Sequence, residues 1–275
     1  MFKKKTFEND VIQFLMARRF LGKDLYFAAC YYVDGLLIDS GSHHLQQSLF
    51  DALKNLPIDM IVNTHAHEDH IGCNSLLQKN RSIPILAHSK AIPIIADPLL
   101  LSLRPYQKIF FGQPQPSKAD IIPDVITTKT KEYNLQTLNT PGHSPDHIAL
   151  FEENKGWLFS GDAVIGGKEQ MLRVDYDICG MLESYRYLAE FPINILFTGS
   201  GGVIHDPISK IKTKIDYLEE TGKRVRELHE KGVEANDIST QLFKSDKINR
   251  FLTSGHFSST FLTQSFLNGI ENNRL

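Results

Sequence analysis

The stretch THAHEDH, residues 64–70, constrains this chain more than any other part of its sequence. It directly follows DMIVN, a short apolar run that indicates a buried strand. His65 and His67 alternate, so both side chains point the same way in an extended segment, and Asp69 and His70 follow as the chain turns toward a helix. Imidazole and carboxylate groups are ligands of zinc, iron and manganese. Four such groups in six residues after a strand therefore predict a metal site rather than a histidine-rich turn.

Two later segments supply further candidate ligands. NTPGHSPDH, residues 139–147, places His143 in a turn rich in proline and glycine and starts the next strand at His147. One of these histidines is a candidate ligand, and the other could orient a ligand through a hydrogen bond. In FSGDAV, Asp162 closes a strand, where a carboxylate could bridge two cations; taken alone, it would be interpreted as a turn residue.

Composition and charge exclude several classes of protein. The chain has 30 Lys and Arg residues against 32 Asp and Glu residues, a net charge of −2, which argues against nucleic-acid binding by bulk electrostatics. No apolar run approaches the roughly 20 residues of a membrane span. Glu8 and Asp10 interrupt the signal-like N-terminus, and three cysteines without CxxC spacing are expected to be reduced. We therefore expect a cytoplasmic protein with a small-molecule substrate and no nucleic-acid or membrane partner; a homodimer is one option for its assembly.

Alternation of strand-like and helix-like patterns predicts an α/β fold. Residues 11–19 and 25–38 are typical of strands, with a hairpin turn at Asp34–Gly35. Residues 104–132 are rich in Pro, Gly, Gln and Lys without a clear period, which predicts a long functional loop. From residue 208 the pattern becomes that of charged amphipathic helices. We predict a metal-binding domain over residues 1–207 and a helical appendage over residues 208–275.

In their order along the chain, these segments resemble the metallo-β-lactamase superfamily. The HxHxDH element, the TPGHSPDH turn and the SGDAV segment all match, within a resemblance that covers roughly residues 11–207 and includes LLIDSG. The resemblance implies a four-layer αβ/βα sandwich with the metals at one edge, between the two sheets. It assigns His65, His67 and His143 to one metal position and Asp69 and His70 to a second, with Asp162 between them.

The implied cofactor is one or two divalent metal ions, with zinc expected first and iron or manganese as alternatives. The chemistry implied is hydrolysis by a metal-activated water that attacks a carbonyl or phosphoryl group. Asp69 would act as the catalytic residue that orients this water or carries its proton. No cysteine stands at the Asp162 position and the motif does not read HxHxDR. The pattern is therefore closest to the glyoxalase II, lactonase and thioesterase-like branch.

The segment NILFTGSGGVIHDP departs from the superfamily pattern. Aligned on Gly199 and Gly201, the position of the last metal-binding histidine is filled by Ser200. Three interpretations remain open: a single metal at the first position, a water held by Ser200 that completes the second, or replacement by His205. Since ligand identity and geometry set metal affinity, the single-metal interpretation is favoured and His205 is expected on the surface.

The C-terminal appendage contains SGHFSSTFLTQSF, which places His256 near Phe257 and Phe261. In the superfamily, appended helices can cover the metal cleft, so these residues are candidate lid or pocket residues. Helix packing is an equally good interpretation of the two phenylalanines. The sequence does not identify the substrate.

Three functions follow from this site. The first is a metal-dependent hydrolase of a small ester, thioester or lactone. The second is a mononuclear iron redox enzyme similar to a persulfide dioxygenase, in which His65, His143 and Asp162 would form a two-histidine, one-carboxylate face. The third is a non-catalytic effector that kept the fold and its ligand-binding cleft but lost turnover.

Overall fold

A computed structural model describes all 275 residues of the chain. Its first sheet has seven strands in chain order: β1 (Phe2–Phe7), β2 (Val11–Phe20), β3 (Lys23–Val33), β4 (Leu36–Ile38), β5 (Met60–Val62), β6 (Ile85–Ala87) and β7 (Asp120–Ile121). The first four strands pair antiparallel, and the pairs from β4 to β7 are parallel. The carboxyl ends of β4, β5 and β6 therefore share one edge.

The second sheet has six strands in the order β14-β13-β11-β10-β9-β8. They are β8 (Val125–Thr127), β9 (Asn134–Asn139), β10 (Ile148–Glu152), β11 (Trp157–Gly161), β13 (Ile195–Thr198) and β14 (Val203–Ile204). Only β11 and β13 pair in parallel. A separate short ribbon joins β12 (Leu172–Arg173) to β15 (Phe257–Ser258).

Helices cover the outer face of each sheet. The helices are α1 (Gln46–Ala52), α2 (Asn74–Arg81), α3 (Ile92–Ala96), α4 (Pro105–Phe110), α5 (Ile178–Leu188), α6 (Pro207–Glu230), α7 (Ala235–Leu242), α8 (Lys247–Leu252) and α9 (Ser259–Glu271). Two short 3-10 segments, His43–Leu45 and Pro98–Leu101, complete the set. None of the helices combines the length and the apolar character that crossing a membrane requires.

Three apolar cores separate these layers. One packs α1, α2 and α3 against the first sheet, and a second lies between the two sheets around Trp157, Phe159 and Phe197. The third packs the second sheet against α5, α6, α7 and α9. Side chains of β10 alternate between the two faces of its sheet and so contribute to two cores. Ala149 and Phe151 face the helices, whereas Ile148 and Leu150 face the other sheet. The predicted four-layer sandwich is confirmed.

The helices of the predicted appendage share their core with α5. Ile211 and Leu218 of α6 and Phe266 of α9 belong to the same buried cluster as Leu182. The predicted boundary after residue 207 falls one residue into α6. These helices are thus the fourth layer of the sandwich, and they also supply β15 to the ribbon with β12.

The structure corrects one expectation about local structure. Residues 104–132 were predicted as a long loop, but they contain α4, β7 and β8. Pro105 begins α4, where its missing N–H costs nothing, and strands of two or three residues are too short to show a hydrophobic period in the sequence. The lysine-rich start of the chain forms the edge strand β1, whose exposed lysines suit an unpaired sheet edge.

Candidate metal centre

Three imidazole nitrogens meet at the carboxyl edge of the sheets. His65 and His67 follow β5, and His143 follows β9. His67 Nδ1 lies 2.9 Å from His65 Nε2 and 2.9 Å from His143 Nε2. All three side chains are buried. The structure thus brings together the three histidines that the resemblance assigns to the first metal position.

Hydrogen bonding and burial keep these nitrogens available as electron-pair donors. The Thr64 hydroxyl donates to Asp39 Oδ2 at 2.8 Å, so its oxygen can accept from His65 Nδ1 at 3.1 Å and leave Nε2 unprotonated. Burial lowers the pKa of His65 and His67 well below the ordinary histidine value. Burial also lowers the pKa of His143 to about 4. The triad is therefore neutral near pH 7, as metal ligation requires.

A second group of side chains adjoins the triad. His70 Nε2 lies 3.6 Å from Asp162 Oδ2 and 3.8 Å from Asp69 Oδ2, and His143 Nε2 lies 3.6 Å from Asp162 Oδ2. Asp162 therefore stands between the two groups. Burial alone would lower the pKa of His70, but Asp39, Asp69 and Asp162 raise it above its ordinary value.

The two carboxylates of this group differ in their electrostatics. Burial opposes ionisation of Asp162, yet His70 and His143 hold the pKa of its carboxyl well below the usual range. Burial raises the pKa of Asp69 to about 7, with Glu68 and Asp162 adding to the effect. Asp162 is therefore a permanent anion, whereas Asp69 can gain or lose a proton near neutral pH.

The donor set fits one or two divalent cations. The ligand atoms of His65, His67 and His143 lie within 4.8 Å of one another, as do those of His65, His70 and Asp162. His70 Nε2 and Asp162 Oδ1 are buried without a hydrogen-bond partner, which is costly unless a ligand satisfies them. Imidazole nitrogen and carboxylate oxygen suit zinc, iron or manganese.

Asp39 positions this centre, although it was not predicted as a site residue. Its carboxylate accepts from the Thr64 amide and hydroxyl, each at 2.8 Å, and lies 2.7 Å from His70 Nδ1. The pairing with Nδ1 turns Nε2 of His70 toward Asp162. The available signal was the position of Asp39 directly after a buried strand, parallel to the strand that precedes the motif.

Other polar residues secure the loops around the centre. His147 uses both ring nitrogens, with Nδ1 2.8 Å from Thr140 Oγ1 and Nε2 accepting from the Asp162 amide at 3.1 Å. It therefore holds the backbone of Asp162, and both of its nitrogens are already occupied. Asp146 Oδ2 accepts from the Ala66 amide at 2.8 Å, which ties the loop of His143 to the HxHxDH loop.

Ser200 and His205 lie on the rim. Ser200 is exposed, and its hydroxyl lies 3.2 Å from Thr198 Oγ1. Gly199 brings this turn against the centre, because a Cβ at that position would stand 2.3 Å from Asp162 Oδ1. His205 is exposed and belongs to neither ligand group.

An apolar cavity of about 270 Å³ opens beside His143. Leu172, Met181 and Phe257 line it together with Tyr176, whose hydroxyl lies 3.3 Å from His143 Nε2. The short pairing of β12 with β15 brings Phe257 from the appendage to this wall. Phe257 was predicted as a lid or pocket residue, whereas Tyr176 was not predicted, since no motif marks it.

His256 lies behind the cavity rather than at the metal ligands. It is buried, and its Nδ1 lies 2.9 Å from the Tyr106 hydroxyl. Tyr106 belongs to α4, so this contact joins the appendage to the segment predicted as a loop. Phe261, the other phenylalanine named above, packs against the core shared with α5.

Sequence comparison identifies the class of protein. The profile of the metallo-β-lactamase superfamily matches residues 24–200, which include both ligand groups described above. The chain belongs to this superfamily. Known structures agree in fold: a metallo-β-lactamase family protein from Thermus thermophilus superposes with a TM-score of 0.66 over 95% of this chain and 93% of that one, at 17% identity.

Two curated relatives indicate to which branch of the superfamily the chain is similar. The Beta-lactamase-like protein 2 homolog of Drosophila melanogaster is 26% identical over 207 residues, which are 69% of this chain and 62% of that protein. An Atrochrysone carboxyl ACP thioesterase of Aspergillus fumigatus is 26% identical over 195 residues, 69% of this chain and 54% of that protein. The chain thus spans somewhat over half the length of these relatives. They fit the glyoxalase II, lactonase and thioesterase-like branch.

Removing the hydrogen bonds of Asp39 is expected to weaken metal binding without removing a ligand. Asp39→Asn places amide hydrogens where Thr64 and His70 donate, so we expect metal affinity to fall by about 10- to 100-fold. Thr64→Val, which keeps the side-chain shape, should lower it by a smaller factor. Chelator competition would measure both, with circular dichroism to establish folding. Wild-type affinity in both folded variants would contradict the positioning role.

The occupancy of the second metal position should depend on residue 200. Elemental analysis of the wild-type chain and of Ser200→His should show a rise from about one metal per chain to about two, because the substitution supplies a ligand. Ser200→Ala is the matched control and should remain at the wild-type value. His205→Ala should also leave the metal content unchanged. Two metals in both the wild type and Ser200→His would reject the single-metal interpretation.

Proposed function

We propose that this protein is a metal-dependent hydrolase of a small ester, thioester or lactone. The observation that carries the proposal is the convergence of the neutral His65, His67 and His143 nitrogens with Asp162 and a titratable Asp69 beside an apolar cavity. Zinc is the proposed metal, since its common ligands are imidazole and carboxylate. Such a cation supplies Lewis acidity, which makes water a stronger acid and stabilises negative charge on a carbonyl oxygen.

Asp69 is the proposed general base. Its carboxyl group is about one-sixth exposed and lies beside His70 at the mouth of the centre. Because burial raises its pKa to about 7, it can take a proton from the attacking water and return it to the leaving group at neutral pH. Asp162 cannot share this role, since His70 and His143 keep it ionised.

Tyr176 is proposed to orient the substrate. Burial raises the pKa of its hydroxyl well above the ordinary value, so the group keeps its proton. Its oxygen lies 3.3 Å from His143 Nε2, at the boundary between the metal ligands and the apolar cavity. A hydroxyl donor at this boundary can hydrogen-bond to the carbonyl oxygen of a substrate whose acyl part fills the cavity.

The apolar walls favour carbonyl substrates with an apolar acyl group. Leu172, Met181 and Phe257 offer dispersion contacts and exclude water from the reacting bond. The similarity to a protein named as an Atrochrysone carboxyl ACP thioesterase supports a thioester among the three substrate types. A small-molecule substrate fits the dimensions of the cavity.

Replacing Asp69 should abolish most turnover while the protein remains folded. Asp69→Asn keeps the shape but loses the base, so kcat on a panel of thioesters, lactones and phosphodiesters should fall by about 100-fold or more. Asp216→Asn, an exposed carboxylate on α6, is the matched control and should behave as wild type. His65→Ala should lose metal and activity together. Activity that survives both Asp69→Asn and His65→Ala would refute the proposal.

A mononuclear iron redox enzyme is the second candidate, favoured by one observation. His65, His70 and Asp162 present their ligand atoms within 4.8 Å of one another, and His143 Nε2 lies 3.6 Å from Asp162. Asp162 can complete a two-histidine, one-carboxylate set, typical of non-haem iron oxygenases, with His65 and His70. The predicted set of His65, His143 and Asp162 is the alternative.

Metal identity and oxygen consumption distinguish the two candidates. After expression with zinc, iron and manganese supplied equally, we expect zinc in the purified protein and no thiol-dependent oxygen uptake in an oxygen electrode. His65→Ala provides the metal-depleted control for both measurements. Iron together with oxygen uptake that depends on an added persulfide would overturn the hydrolase and support the redox enzyme.

A further inference from the structure

A second cavity, of about 520 Å³, lies between α6, the end of α7 and the loop that leads into β12. Lys168, Arg224 and Lys244 line it with Tyr217 and Gln170, and we call it the basic cavity. Its lining contains no carboxylate. The residues of the cavity come partly from the superfamily core and partly from the C-terminal helices.

The three cations of the basic cavity have no acidic partner. None of them takes part in an ion pair, although other lysines and arginines of the chain do. The chain carries a net charge of −2, so this concentration of positive charge is local. Cations gathered around a cavity repel one another and attract an anion.

Aromatic and amide contacts hold this cavity in shape. Lys168 Nζ lies 4.9 Å above the centre of the Tyr217 ring, a cation–π contact that positions the ammonium group. The Tyr217 hydroxyl donates to the Glu169 carbonyl at 2.8 Å and accepts from Gln170 Nε2 at 2.7 Å. The loop carrying Lys168 is therefore fastened to α6, which carries Arg224.

A buried ion pair reinforces the same attachment. Lys214 of α6 pairs with Glu169 and donates to the Gly167 carbonyl at 2.8 Å, and the Lys214 and Glu169 side chains are each only 4% exposed. Because Lys214 neutralises Glu169, this carboxylate does not offset the charge of Lys168 next to it. The positive charge of the basic cavity thus remains available to a ligand.

The basic cavity adjoins the apolar cavity of the metal centre. Lys168 and Gln170 line both, and the apolar cavity reaches His143 and Tyr176 at its other end. A molecule with an apolar segment could therefore place a carbonyl carbon at the metal ligands and an anionic group among the three cations. Phosphate matches such a site because several oxygens can accept from lysine and arginine together.

We propose that the basic cavity binds a phosphate group carried by the substrate at the end remote from the bond that is cleaved. The inference rests on the proposed hydrolase function and defines its substrate class as a phosphate-bearing ester or thioester. The C-terminal helices then determine specificity, since they supply Arg224 and Lys244.

Binding of 4′-phosphopantetheine and of pantetheine to the metal-loaded protein tests the proposal directly. The two probes share the same thiol and chain and differ only in the phosphate. Isothermal titration calorimetry should show at least about tenfold tighter binding of the phosphorylated probe, a difference of about 1.4 kcal/mol. This difference should shrink as salt is raised, because the cations are exposed.

Variants that remove one positive charge each test whether the basic cavity causes the preference for the phosphorylated probe. Lys168→Gln, Arg224→Gln and Lys244→Gln should each weaken 4′-phosphopantetheine binding by about three- to tenfold and leave pantetheine binding unchanged. Lys223→Gln is the matched control: it lies next to Arg224 on α6 but lines another cavity with Glu219 and Arg226. It should bind both probes as wild type does.

Equal affinity for the two probes, or equal loss in Lys223→Gln, would overturn the proposal. Inorganic phosphate is the third probe: if it binds as tightly as 4′-phosphopantetheine, the cavity binds free phosphate and not a substrate. Since no probe is hydrolysed, binding remains measurable if the proposed hydrolase activity fails. Turnover without a phosphate preference would overturn the phosphate site and leave the hydrolase intact.

Discussion

The buried carboxylate of Asp39 is the contact on which the metal centre depends. It accepts two hydrogen bonds from Thr64 and pairs with His70, so it fixes both ends of the HxHxDH loop. Asp39 follows β4 and Thr64 lies just beyond β5, and the parallel register of these strands brings the two residues together. A buried carboxylate without such partners would be strongly destabilising. The same hydrogen bonds therefore stabilise the sheet edge and orient the ligands.

Placing two imidazole nitrogens 2.9 Å from His67 Nδ1 has an energetic cost. The Nδ1–H of His65 is directed to Thr64, so the lone pair of its Nε2 faces His67 Nδ1, which also lies close to His143 Nε2. One proton on His67 Nδ1 can serve only one of its two neighbours at a time, whereas a cation would engage all three nitrogens, and burial disfavours further protonation. The fold tolerates this arrangement because the cores on either side of the edge hold the loops in place. Such local conflict is typical of functional sites.

The sequence predicted the parts of the site that are local along the chain. Strand and helix periods predicted an α/β fold, the resemblance to the superfamily implied the four layers, and the HxHxDH spacing identified His65 and His67 as neighbours. Tyr176 and Asp39 were missed because their roles depend on contacts across 33 and 25 positions, to His143 and Thr64. The ribbon of β12 and β15 has only two residues in each strand, so no period could reveal that Phe257 reaches the cavity. Short elements leave no signal in a sequence, however precisely they place a side chain.

By the resemblance, Ser200 replaces a ligand of the second metal position only. The triad of His65, His67 and His143 is complete without it, whereas His70 and Asp69 lie on the side that loses a ligand. If a single cation were held by the triad, Asp69 would not be needed as a ligand. Its pKa of about 7 is set by burial and by neighbouring carboxylates of the protein. Loss of the last histidine is therefore compatible with the proposed hydrolysis, because Asp69 would then be available as a base.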